Sequence, residues 1–254
     1  MKNIAEQLKN HLEMLKASGV DFVPKADFSR AVKMNSTVVH QEVSNLTSEE
    51  KLSDLKPLVL KCVKCSELAA KRKNVVFGSG NPKAELVFVG EAPGQDEDLQ
   101  GLPFVGKAGQ LLTKIIESIG QSRESVFICN VLKCRPPGNR NPLPQEIFNC
   151  EPYLIEQIHL IKPKIICALG TFAAQTLLKT EKKISSLRGK FYEYQGSKLL
   201  CTFHPAYLLR NPEEKRKVWE DMKMIRAELA STPSGLRPNL PLERSAPTSE
   251  LEMI

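Results

Sequence analysis

Four cysteines, Cys62, Cys65, Cys134 and Cys150, have a spacing that could do chemistry together. Cys62 and Cys65 form a C-x2-C pair that one turn can present at adjacent corners of a tetrahedral site, whereas Cys134 and Cys150, 16 positions apart, must be delivered to it by the fold. Four thiolates suit either Zn2+ or an iron-sulfur cluster, and spacing alone does not choose between them. The plain alternative for any cysteine is a small buried hydrophobe. It fits Cys129, Cys167 and Cys201 better, because these lie inside strand-like apolar runs. Cys134 opens a loop and is preferred to Cys129 as a ligand.

Other polar groups stand where strands are expected to end. Leu86 to Gly90 (LVFVG) predicts a buried strand followed by GEAPG; Val126 to Leu132 predicts a second that carries Asn130; Leu199 to Phe203 predicts the last, followed by His204-Pro205. Lys164 to Leu169 adds a third strand, and a hairpin is expected around Tyr194 to Lys198. Helices are expected over the periodic residues Leu111 to Ile119, from about Gln145 to Ile161, near Thr171 to Leu178, and from about Pro212 to Leu229. Alternation of this kind argues for an α/β fold with a mostly parallel sheet covered on both faces. Ligands of such sheets bind beyond the carboxyl ends of the strands, where the three polar motifs would converge.

The chain of 254 residues carries a net charge of +7, spread unevenly. Residues 56 to 230 hold 27 basic and 18 acidic groups, an excess that would steer a polyanion such as DNA. Seven cysteines, an odd number, and an N-terminus without a short apolar block argue against an exported disulfide framework and for the cytoplasm. No apolar run reaches the roughly 20 residues a membrane helix needs, so no membrane association is expected. Ile4, Leu8, Leu12 and Leu15 form a narrow helical stripe that would pack on the main domain or dock a replication or repair protein. Residues 1–57 therefore read as an extension of short helix plus linker, the linker spanning 21–55. Residues 58–229 read as the functional domain, and 230–254, with four prolines, as a disordered tail.

Four ordered motifs, GEAPGQDED (Gly90 to Asp98), GLPFVGKAGQLL (Gly101 to Leu112), CNVLKCRPPGNRNP (Cys129 to Pro142) and HPAYLLRNP (His204 to Pro212), together with the cysteine frame, resemble the family 4 uracil-DNA glycosylases. The resemblance spans about residues 58 to 229. It implies a three-layer α/β/α sandwich on a four-stranded, mostly parallel sheet, and a [4Fe-4S] cluster on Cys62, Cys65, Cys134 and Cys150. It further implies a substrate of single- or double-stranded uracil-containing DNA, handled by a monomer that releases uracil and leaves an abasic site.

The same resemblance assigns roles that chemistry can check. Phe104 is the platform for a flipped uracil, beside Ala92 in the base-binding set, although core packing would explain a phenylalanine equally well. Asn130 reads the base edge, since a carboxamide can donate to O4 and accept from N3–H, a pattern cytosine reverses. His204 donates to the departing uracil anion. Glu91 orders water, excludes the thymine methyl or stabilises the sugar cation. Asn139 contributes through water or phosphate. Tyr207, Leu208 and Leu209 form the wedge that enters the duplex, with burial as their alternative. Asp96, Glu97 and Asp98 read as a solvated or loop-ordering run. Two other functions stand beside excision: a non-catalytic four-cysteine module that binds nucleic acid, and covalent capture of uracil-DNA. Residues 135 to 149 contain no histidine, which argues against capture.

Overall fold

The computed structural model describes residues 47–231. The N-terminal stripe, the first part of the expected linker and the tail lie outside the described residues. The first described element is α1 (Ser48–Leu60), opened by a capping box in which the Thr47 hydroxyl accepts from Glu50 N–H at 3.3 Å and Glu50 returns the contact to Thr47 N–H at 2.7 Å. Leu52 and Val59 bury its inner face. This helix corrects the linker expected to residue 55 and crosses the boundary drawn at 57, and the T-x-x-E signature at Thr47 was its legible signal.

After α2 (Ser66–Lys71) come β1 (Ser79–Gly80), β2 (Leu86–Gly90), α3 (Gln95–Gln100), α4 (Lys107–Ser118) and β3 (Phe127–Asn130). A 3-10 turn at Pro137–Asn139 leads to α5 (Pro144–Ile161), β4 (Ile165–Leu169), α6 (Thr171–Leu178), α7 (Ile184–Leu187), β5 (Phe191–Tyr194) and β6 (Ser197–Thr202). The short α8 (Pro205–Leu208) and a further 3-10 turn precede α9 (Lys215–Ala230).

The sheet runs β1-β3-β2-β4-β6-β5. Its four central strands are parallel, and β1 and β5 pair antiparallel at the edges. The expected count of four is thus corrected to six. β1 escapes a search for apolar runs because it is two residues of Ser and Gly, and half-buried β5 is legible only through the hairpin expected around Tyr194 to Lys198. The β5–β6 hairpin turns through Gln195 and Gly196, both with positive φ, which the flanking right-handed twist favours.

Side chains alternate across the sheet with period two. Val87, Val89, Cys129, Ile166, Ala168 and Leu199 join Val59 of α1, Leu154 and Ile158 of α5, and Leu177 of α6 in one layer. Leu86, Phe88, Ile128, Ile165, Cys167 and Leu200 join Leu112 and Ile116 of α4 and Val218, Met222 and Ile225 of α9 in the other. Each such side chain contributes roughly 1.5–3 kcal/mol by leaving water. The three-layer arrangement follows from burial on both faces. Buried Asp221 of α9 accepts from the Thr202 hydroxyl at 2.6 Å and from Arg188 through both carboxylate oxygens at 2.8 and 3.1 Å, tying α9 to the end of β6.

Candidate active site

Beyond the carboxyl ends of β2, β3 and β6 lies a cavity of about 430 Å3 lined by Glu91, Ala92, Phe104, Asn130, Asn139 and His204, with Glu97, Tyr207 and Arg210 among its other walls. The residues singled out in four separate motifs therefore meet in one place. Asn130 ends β3 and is almost wholly buried, yet its carboxamide Oδ1 has no hydrogen-bond partner. Such an orphan acceptor costs about 1–3 kcal/mol until something donates to it.

Phe104 sits with φ 53°, in the left-handed region that a non-glycine residue enters at a cost. The surrounding loop holds it there. Glu97 Oε1 accepts from the N–H groups of Val105 (2.8 Å) and Gly106 (3.0 Å), and Arg123 donates to the Pro103 carbonyl at 2.8 Å. Asp98 is buried and accepts from Lys73 and Asn74 N–H, so this part of the acidic run orders loops. Gly90 permits the close approach: a Cβ there would lie 2.4 Å from Asn130 Oδ1 and 2.5 Å from Phe104 Cζ. A Cβ at Gly109 would fall 1.9 Å from the Phe104 carbonyl oxygen. Both glycines stand in quoted motifs, but the clearance each provides was not legible there, because it depends on how the Phe104 loop folds back.

The His204 ring lies 5.6 Å, centroid to centroid, from Phe104. Its Nδ1 accepts from Ala206 N–H at 3.1 Å, which puts the proton of the neutral ring on Nε2. The residue keeps some surface toward the cavity. Desolvation of the ring, assisted by the Arg210 charge, pulls its pKa down to about 4. His204 is therefore a neutral donor at physiological pH. Burial raises the Glu91 carboxyl above its ordinary value. Asn139, with φ 56°, accepts at Oδ1 from Arg135 Nε at 2.7 Å, leaving its amide nitrogen as the end that can donate.

The three wedge candidates part company. Tyr207, on the cavity wall, and Leu209 are exposed at 37% and 47%. Leu208 is fully buried in the core shared with α4 and α9, where it anchors α8, so its expected place in the wedge is corrected.

Cys62, Cys65, Cys134 and Cys150 line a second, enclosed cavity with Val59, Leu68 and Tyr153. The protein directs donors at three of the sulfurs: Arg72 Nη1 at 3.1 Å from Cys134, Lys133 N–H at 3.2 Å from Cys150, and Asn149 Nδ2 at 3.5 Å from Cys65. Such bonds favour thiolates. Burial pushes the Cys150 thiol up to about 11, with the Lys133 charge acting the other way. Among the described residues no group of three or more His, Cys, Asp or Glu gathers closely enough for a single metal ion. Four sulfurs around one shared space form a donor set of the kind that either zinc or an iron-sulfur cluster uses. Cys129, Cys167 and Cys201 are buried within strands. Arg140 bridges Glu67 of α2 (3.0 Å) and Glu146 of α5 (2.7 Å), fastening the cysteine segment to the loop that bears Asn139.

An aromatic ring, an unpartnered amide oxygen and a neutral imidazole around one cavity at the strand ends give an α/β protein whose pocket has the fittings for one flat, hydrogen-bonding heterocycle. The family model described as the uracil DNA glycosylase superfamily matches residues 77–223. The chain is 46% identical over 184 residues to the type-4 uracil-DNA glycosylase of Archaeoglobus fulgidus, covering 69% of this chain and 92% of that protein. It is 48% identical over 184 residues to the Saccharolobus solfataricus type-4 enzyme (69% and 85% covered), and 45% over 185 residues to that of Thermotoga maritima (71% and 96%). The chain belongs to the uracil-DNA glycosylase superfamily, in its type-4 branch.

Proposed function

We propose that the chain excises uracil from DNA by hydrolysing the bond between the base and deoxyribose C1′, leaving an abasic site. The observation that carries this reading is the convergence of Phe104, the unpartnered Asn130 amide and neutral His204 on one cavity. A uracil flipped out of the helix would stack on Phe104, which is worth roughly 1–3 kcal/mol and helps offset the few kcal/mol of flipping. Asn130 Oδ1 would accept from N3–H while its amide nitrogen donates to O4. Cytosine would instead bring its N3 lone pair against Oδ1.

As the glycosidic bond breaks, its electron pair moves to the base and positive charge grows on the sugar. His204 Nε2–H would donate to uracil O2, a contact that strengthens as charge develops and requires no protonated imidazole. Glu91 would face the sugar side, ordering the water that adds to C1′ and offsetting the cation. Tyr207 and Leu209 would fill the gap left in the stack, and Arg210 and Asn139 would meet phosphates or bound water. Cys62, Cys65, Cys134 and Cys150 would hold a [4Fe-4S] cluster, supported by their shared cavity and the donors on their sulfurs. When bound it would supply cross-linking of α2, the loop after β3 and α5, and no step of the hydrolysis.

The protein would act as a monomer on single- or double-stranded DNA in the cytoplasm; among the described residues no helix is long and apolar enough to cross a membrane. The test is release of uracil from U:G, U:A and single-stranded oligonucleotides, with T:G as control. Intact strands after alkali treatment, despite normal binding by iron-loaded protein, would sink the proposal in favour of a binding module. A DNA adduct surviving denaturation would indicate capture instead.

A further inference from the structure

The strongest unassigned feature is a buried cation between the two cavities. Lys133 is 1% exposed. Its Nζ donates to the Asn130 main-chain carbonyl at 2.8 Å and to Gln157 Oε1 at 2.6 Å, and Gln157 Nε2 in turn donates to the Phe77 carbonyl at 2.8 Å. These acceptors are neutral, and no salt bridge to a carboxylate is present among the described residues. An ammonium buried without a counter-charge is costly. The Lys133 charge acts on the thiols of Cys150 and Cys129, its main-chain N–H lies on Cys150 Sγ at 3.2 Å, and Cys134 is the next residue, so the cysteine site is beside it.

The other end of the contact is equally specific. Edge strand β1 pairs only with Phe127 and Ile128, so β3 has no strand neighbour on that side where it reaches Asn130. Lys133 supplies the donor the ladder lacks. It thereby fixes the main chain of the residue whose side chain reads the base.

We propose that Lys133 is a positioning residue for uracil recognition, which holds the Asn130 main chain while its ammonium balances the thiolate charge of the cysteine site. One side chain thus links the filling of the cysteine cavity to the shape of the base pocket. This inference rests on the excision reading given above.

The test compares wild type, Lys133→Met and Gln157→Leu. The first readout is iron and acid-labile sulfide per chain. The second is equilibrium binding of a duplex carrying 2′-fluoro-deoxyuridine, whose glycosidic bond resists cleavage, against the same duplex with thymine. The third is the division of any rate loss between KM and kcat on a uracil duplex. Lys133→Met is expected to retain less than half of the wild-type iron and to lose roughly 10-fold or more of its preference for the uracil analogue, with binding of the thymine duplex unchanged. Gln157→Leu leaves the lysine in place but removes its second anchor. It is expected to keep its iron, lose several-fold in preference and raise KM more than it lowers kcat.

Full iron content, or an unchanged preference, in Lys133→Met overturns the proposal. A lower thermal midpoint with preference and iron intact would make Lys133 only a core residue. If Lys133→Met does not fold, an unchanged preference in Gln157→Leu overturns it. A wild-type protein without excision or preference fails the excision reading instead, and the iron content of Lys133→Met then decides whether the lysine serves the cysteine site.

Discussion

At the scale of single residues, the base pocket depends on groups too close together to tolerate an added atom. Gly90→Ala would push a methyl against both Asn130 Oδ1 and the Phe104 ring. Overpacking of this kind costs about 1–3 kcal/mol of stability, so the thermal midpoint should fall by several degrees, and displacement of Phe104 and Asn130 should lower kcat/KM on a uracil oligonucleotide as well. His204 gives a pH prediction with a definite sign. Its folded pKa of about 4 lies below the ordinary 6.5, so between those values the unfolded chain takes up a proton that the folded one refuses. Stability contributed by keeping the ring neutral is complete above pH 6.5 and is lost as pH falls toward 4, on the order of 3 kcal/mol. Denaturant midpoints of wild type and His204→Gln should therefore converge on acidification. Because the neutral ring is the donor, single-turnover excision should stay flat from about pH 6.5 to 8. A tenfold fall per pH unit across that range would mean that an imidazolium is needed.

Elements matter here for where they end. β2, β3 and β6 stop at the same edge of the sheet, and each delivers its group one or two residues later or at its last residue: Glu91, Asn130 and His204. The end of β6 is fixed by Thr202 on Asp221, whose charge is answered by Arg188. Arg188→Ala would leave a buried carboxylate short of its cation, and truncating one partner of such a pair costs about 3–5 kcal/mol. Urea unfolding should register that loss, and excision near the unfolding midpoint should fail first in this variant. A change below about 1 kcal/mol would mean that water replaces the guanidinium.

At the scale of the whole molecule, charge is the term that would draw the protein to DNA. Its net +7 gives non-specific attraction that falls as salt rises, with a slope set by the number of phosphates neutralised. Arg210 lines the cavity mouth next to exposed Leu209. Arg210→Ala should reduce the slope of log affinity against log salt by about one and weaken uracil and thymine duplexes alike, as measured by titration at several salt concentrations. An unchanged slope would remove Arg210 from the phosphate contacts. The two cavities also divide the molecule's work: the pocket holds the groups suited to chemistry, and the cysteine cavity joins α2, the loop after β3 and α5.

The central strands and most helices were legible in the amino-acid order, because apolar runs and helical periodicity are local, and GEAPG, Asn130 and His204 could be picked out because they stand beside those runs. The same order also set Cys62, Cys65, Cys134 and Cys150 apart from the three cysteines inside strands. Three-dimensional packing was needed to bring Cys62 and Cys65 into one cavity with Cys134 and Cys150, to show that Gly90 makes room for Phe104 beside Asn130, and to turn Leu208 to the core while Tyr207 and Leu209 face outward. The neutrality of His204 and the place of Lys133 between the cavities belong to the same class. Each depends on atoms far apart in the chain and on what surrounds them once water is excluded, which no local pattern of residues encodes.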